Sequence, residues 1–398
     1  MTARIDALHL QAPAVAERMQ QRSLIIGLVF SVICGALAFV WKDEFFRAYL
    51  LAYMFWLGIS LGSLAVLMIT HVSGGNWGLV IRRQLEAAAG VLPLMAVLFL
   101  PVIVGMSRLY VWTHPENSPA DKQLARIAHL YLTPNGFILR AVIYFAVWIG
   151  LTFLLTRASV AQDRPSTGIE KTPFKMISGP GLILYAFTIS FAIIDWVMSL
   201  DPHWISTIYG AIFIAAQCLS ALCLAVVVES IFARYDPMKS LLRPKEVHDH
   251  SKLILAFIML WAYFSFSQLL IIWAGNLPHE ITWFTRRLYG GWQLVGMALF
   301  VFHFVVPFLL LLSRPFKRRT ESMIWLASWV LVMRYVDVFW HIEANFSNTF
   351  HVTLLDLLMP FAIGGLWLWL FFRNVRKRPL LPLYDEHVPE LLEPAHEH

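Results

Sequence analysis

The sequence predicts an all-α membrane protein of about ten transmembrane helices, and three observations carry that prediction. Of its 398 residues, 59% are apolar or aromatic and only 14% are charged. With a mean hydropathy of +0.65, this is far outside the composition of a soluble domain. The apolar residues fall into ten runs, each close to the roughly 20 residues that a hydrocarbon core about 30 Å thick demands. Lys and Arg gather in alternate connections, about 22 in one set and about 7 in the other, and such a bias places the richer set in the cytoplasm.

In order, the runs are 24–41, 48–71, 87–107, 136–156, 181–200, 209–232, 252–273, 288–312, 322–341 and 353–372. They form one transmembrane domain, 24–373, between an N-terminal segment, 1–23, and a C-terminal tail, 374–398, both expected to be cytoplasmic. The N-terminal segment holds Arg4, Arg18 and Arg22 and no apolar core. It therefore does not read as a cleavable signal peptide, and the first helix is expected to direct membrane insertion. Only 108–135 and 157–180 are connections long enough for structure of their own. Within the first, ADKQLARIAHLYL spaces apolar residues at helical intervals, as in a helix lying along the interface.

The formal charge of +6 sits in short clusters between apolar runs, notably Arg314, Lys317, Arg318, Arg319 and Arg373, Arg376, Lys377, Arg378. That distribution marks topology and does not mark a nucleic-acid face. Cys34, Cys218 and Cys223 all lie in apolar runs, with no CxxC, so they read as small buried hydrophobes and not as metal ligands.

Ionisable groups at membrane depth cost at least about 2.5 kcal/mol each, so they must be paired, line a cavity or function. The ninth run carries Arg334, Asp337 and His341. At about 100° per residue they share a sector of roughly 60°, a polar stripe that points toward Glu343. Arg334 and Asp337 are spaced for an ion pair, and the stripe suits either a proton relay or a structural helix pairing. In the fifth run Asp195 shares a face with Thr188 and Ser199, and reads as a lone carboxylate of raised pKa able to exchange protons. His303, in mid-run, is followed by Pro307, which frees a backbone carbonyl and kinks the helix, a combination that lines cavities. His71 and Glu86 sit where a polar path would open on the inner side, or are ordinary interfacial residues. Ser265 and Gln268, with Tyr263 and Ser267 on a neighbouring face, read mainly as helix-joining groups.

His71, His303 and His341 lie at three different depths, so no pair is matched to ligate a haem. The chain is accordingly expected to bind no metal or cofactor itself, and any electrons must pass through a partner's centre. The loops SLDPHWIST, AGNLPHEITWF and HIEANFSNTFH are rich in Trp, His and acids on the side opposite the Lys/Arg clusters. They suit a partner-docking surface, with Asp201, His203, Trp204, His279 and Glu280 as candidates, or an aromatic belt.

Two stretches carry a family resemblance: DWVMSLDPHWISTIYG at 195–210 and SKLILAFIMLWAYFSFSQLLIIWAGNLPHEITWF at 251–284. They resemble the large membrane subunits of bacterial alternative complex III, which are NrfD-like proteins, and the chain length fits the shorter, ActF type. The resemblance implies two four-helix bundles side by side, helices two to five and six to nine, with helices one and ten peripheral. It also implies a bacterial inner-membrane complex that oxidises quinol and passes electrons to cytochrome c or an oxidase. Its periplasmic iron–sulfur and haem c subunits and a second NrfD-like subunit would be the partners. A quinone pocket, or a proton path through Asp195, His303, Arg334, Asp337 and His341, is the site that it implies. A secondary transporter and a purely structural scaffold are the competing readings.

Overall fold

The computed structural model describes residues 10–74, 76–117, 121–163, 174–236, 238–382 and 388. Among them, ten helices are long and apolar enough to span a membrane. They are α1 (Ala14–Leu37), α2 (Lys42–Ser73), α3 (Arg82–Val104), α4 (Pro134–Gln162) and α5 (Phe174–Leu200), then α6 (Tyr209–Phe232), α7 (Pro244–Gly275), α8 (Trp292–Leu312), α9 (Thr320–Asn345) and α10 (Leu354–Arg376). The chain is an all-α, multi-pass membrane protein.

Several helices outrun their apolar segments. α1 begins at Ala14 and α7 at Pro244, not at 24 and 252: AERMQQR consists of good helix formers, and Pro244 opens α7 at its first position with Glu246 capping the Arg243 N–H. Residues 14–23 of the expected N-terminal segment are thus helical. α5 begins at Phe174 and absorbs Pro180 in its second turn. α3 is broken into shorter helices near Pro93 and Pro101, where each ring removes an N–H and crowds the carbonyl four residues back. The predicted interfacial helix forms at Lys122–Leu130, where the Asp121 side chain accepts from the Leu124 N–H at 2.9 Å. AGNLPHEITWF is not a loop as expected. Pro278 opens a helix, Pro278–Leu288, a position at which its fixed φ and missing N–H cost nothing.

The most apolar window of α2 is 89% buried and that of α6 83%, against 11% for α1 and 22% for α7. α2 and α6 therefore form the core. α3, α4 and α5 pack with α2; α7 and α9 pack on α6, and α8 lies against α7 and α9; the two groups meet where α2 lies against α6. α1 and α10 pair with each other, and α10 rests on α2. Small residues permit these approaches, since packing is the main force between helices in lipid. A Cβ on Gly62 of α2 would lie 1.9 Å from the Gln217 carbonyl oxygen of α6. One on Gly365 of α10 would lie 2.3 Å from the Cα of Gly27 in α1. Beyond α10 the Leu380 N–H bonds the Leu10 carbonyl at 2.8 Å, so the start of the expected tail folds against the N-terminal segment. Residues 383–387 and 389–398 of that tail lie outside the described residues.

Candidate functional site

The ninth-helix stripe faces the inside of the α6–α9 bundle. Arg334, Asp337 and His341 are all buried, which is how a helix in lipid must orient such groups. An Arg334 guanidinium N–H donates to Asp337 Oδ2. His341 Nε2 stands 3.8 Å from Asp337 Oδ1, an ion-pair separation too long for a direct hydrogen bond. Nδ1 of the same ring lies 3.0 Å from the Tyr209 hydroxyl at the start of α6. If the hydroxyl donates, the imidazole proton sits on Nε2, facing Asp337. The four residues make a polar line from mid-membrane to the face opposite the Lys/Arg clusters.

His303 stands beside that line. It is fully buried, edge-on to Trp261 at 4.4 Å, and its nearby charges are Arg334 and Asp337. Neither ring nitrogen meets a hydrogen-bond partner among the described residues. Leu299–Val305 is a π-helical turn. Pro307 explains it, because its ring crowds the carbonyl four residues back, that of His303 itself.

A second guanidinium roofs the line. Arg287, from the Pro278–Leu288 helix, donates to the carbonyls of Trp283 at 2.9 Å and His341 at 3.1 Å, and to Asn345 Oδ1 at 3.1 Å. Its Cζ lies 3.6 Å from the Trp283 ring centroid. Burial pushes this guanidinium down to about 9, with Tyr209 and Asp201 opposing the shift, so at neutral pH it stays a fixed positive charge. Glu343, the next acid along, is also buried, and its charged neighbours are Asp356, Arg47 and Glu44.

The α2–α5 bundle differs. Asp195 is not a lone carboxylate: Arg140 of α4 grips it twice, Nε to Oδ2 at 2.8 Å and Nη2 to Oδ1 at 2.9 Å, and the Tyr144 hydroxyl donates to Oδ2 at 2.8 Å. The expectation of a lone carboxylate is corrected, because Arg140 and Tyr144 supply three donors to it. Thr188 accepts from Trp148 Nε1 at 2.8 Å and Ser199 donates to the Asp195 carbonyl. Toward the bundle centre Trp196 packs among Phe99, Phe145 and Trp148, with centroids 4.7–5.9 Å apart. Arg140 was missed in the sequence although it lies inside the fourth apolar run, four residues before Tyr144 on the same face. The burial cost that marks Asp195 should have marked it too.

At the Lys/Arg-rich face, Glu86 is held by Arg82 at 3.2 Å, Arg83 at 2.9 Å, Arg378 at 3.3 Å and the Ser159 hydroxyl at 2.6 Å. His71 bonds Ser178 at 3.2 Å and stacks on Phe174, whose ring also meets Arg82. A further pair went unnoticed. His250 Nδ1 lies 2.9 Å from Glu229 Oε1 and its Nε2 2.6 Å from the Trp77 carbonyl, with both side chains fully buried. Glu229 stands within the sixth apolar run, which was the available sign.

On the opposite face Asp201 and Trp204 are buried by the chain itself. Asp201 meets Arg286 at 3.3 Å, and Trp204 stacks on Trp283 at 4.5 Å. His203 remains half exposed and bonded to Asp121 at 2.8 Å, and Glu280 is half-buried. The His279 side chain lies outside the described ones. Gln268 Oε1 accepts from the Ser206 hydroxyl of the α5–α6 loop at 3.2 Å, a loop contact and not the expected helix joining, and the three cysteines are buried and unbridged.

Comparison of the sequence with models of known families and with curated proteins finds no match. The fold and the side-chain geometry define a multi-pass helical membrane protein with a buried titratable line in one of its two bundles.

Proposed function

We propose that the chain is a membrane subunit of a quinol-oxidising respiratory assembly in a bacterial inner membrane, similar to alternative complex III, and that its α6–α9 bundle carries protons. Oxidation of a quinol releases electrons and protons in equal number. Iron–sulfur and c-type haem subunits beside the chain take the electrons, and the protons need a path through a low-dielectric interior. The observation that carries this reading is the Arg334–Asp337–His341–Tyr209 line with His303 unsatisfied beside it. A line built only for helix registry would close its hydrogen bonds, as buried polar groups do. The 3.8 Å step from Asp337 to His341 and the unmet nitrogens of His303 are places where one water completes a relay.

The test uses the assembled complex in vesicles, with Asp337→Asn and His341→Gln. Quinol turnover and the accompanying acidification should fall about a hundredfold, the scale of a lost proton-transfer group. If both persist at the native rate in correctly assembled variants, the relay is refuted and a scaffold remains. That second reading has its own support in α2–α5, where Arg140 grips Asp195 with two hydrogen bonds and Tyr144 adds a third.

A further inference from the structure

On the Lys/Arg-rich face a cleft of about 260 Å³ opens between α3, α4 and the end of α10. Arg83, Lys377 and Arg378 line one side, and Ile149, Phe153 and Thr152 the other. Glu86 at its base is fully engaged by Arg82, Arg83, Arg378 and Ser159, and Arg83 also reaches Asp163 at 2.5 Å. Among the described residues Arg82, Arg83, Lys377 and Arg378 thus stand against two carboxylates, Glu86 and Asp163, and the cleft is net positive. The Lys377 ammonium meets no carboxylate among the described residues.

Two buried polar atoms of the lining are also unsatisfied: Nε of Arg83, a side chain 3% exposed, and Oγ1 of Thr152. Leaving such atoms without a partner costs about 1–3 kcal/mol each. The other wall belongs to the bilayer, since Phe153, Leu154 and nearby Val97 present exposed apolar surface. A site charged on one wall, greasy on the other and set at the helix ends matches a lipid headgroup with its chains attached.

We propose that this cleft seats the phosphate of an anionic phospholipid, its acyl chains lying along α4. The surplus of cations selects against a zwitterionic headgroup, whose own ammonium it repels. The apolar wall distinguishes a lipid from free phosphate.

Native mass spectrometry on the delipidated full-length chain tests this, with phosphatidylglycerol, phosphatidylcholine of the same acyl chains, and inorganic phosphate as probes. Phosphatidylglycerol should be retained about tenfold better than phosphatidylcholine. Lys377→Gln with Arg378→Gln should bring the two lipids to parity, and Lys377→Gln alone, at an exposed position, should narrow the gap without disturbing folding. Equal retention of both lipids, or a preference untouched in either variant, overturns the proposal. Displacement of the bound lipid by millimolar phosphate overturns its lipid part and assigns the cleft to a soluble anion.

Discussion

Each of the two bundles has a buried central helix and a buried carboxylate, but they treat that carboxylate in opposite ways. In α2–α5, Asp195 receives a bidentate guanidinium and a phenol, and aromatic rings fill the space beyond. In α6–α9, Asp337 receives one guanidinium contact, a distant imidazole and an unsatisfied histidine nearby. Burial of charge is therefore not itself the sign of function. What separates the two sites is how far the hydrogen-bonding capacity is closed, because a carboxylate gripped by several donors is held in one geometry while an unsaturated line leaves polar atoms open to a further partner.

The largest effect should come from Arg140→Ala, which strands Asp195 in the interior and should lower stability by about 3–5 kcal/mol, read as the thermal midpoint of the purified protein. Removing both partners, Arg140→Ala with Asp195→Ala, should recover much of that loss. Turnover of whatever complex assembles should remain native, and a collapse in turnover per assembled complex would erase the contrast between bundles. Gly62→Ala should cost about 1–3 kcal/mol by overpacking, because the new Cβ meets the Gln217 backbone; a neutral result would mean that α2 and α6 separate freely. His303→Leu should slow turnover while leaving stability within about 1 kcal/mol, since neither ring nitrogen bonds a described protein group. Loss of stability in that variant would show that His303 is a satisfied packing residue. Tyr209→Phe should cost only about 1 kcal/mol and alter turnover more than the thermal midpoint.

The same comparison locates what the linear chain reveals. Apolar runs of membrane length set the number of helices, since no other backbone arrangement satisfies itself in lipid apart from a closed barrel. The three-residue and four-residue spacing of Arg334, Asp337 and His341 put them on one face, because helical geometry is local. The partner of Asp195 was hidden, as Arg140 is 55 residues away and only the packing of α4 on α5 joins them. Glu229 and His250 met across a turn of the chain in the same way. Asp201 and Trp204 read as partner-docking residues because loops usually lie at the surface, yet the Pro278–Leu288 helix folds over them.

The sequence by itself determined that this is a ten-helix membrane protein and that α9 carries a titratable stripe, because helix length and helix periodicity are properties of neighbouring residues. Only the tertiary structure decided which charges are satisfied. That outcome depends on which helices approach closely enough for a donor on one to reach an acceptor on another, and small residues such as Gly62 set those approaches.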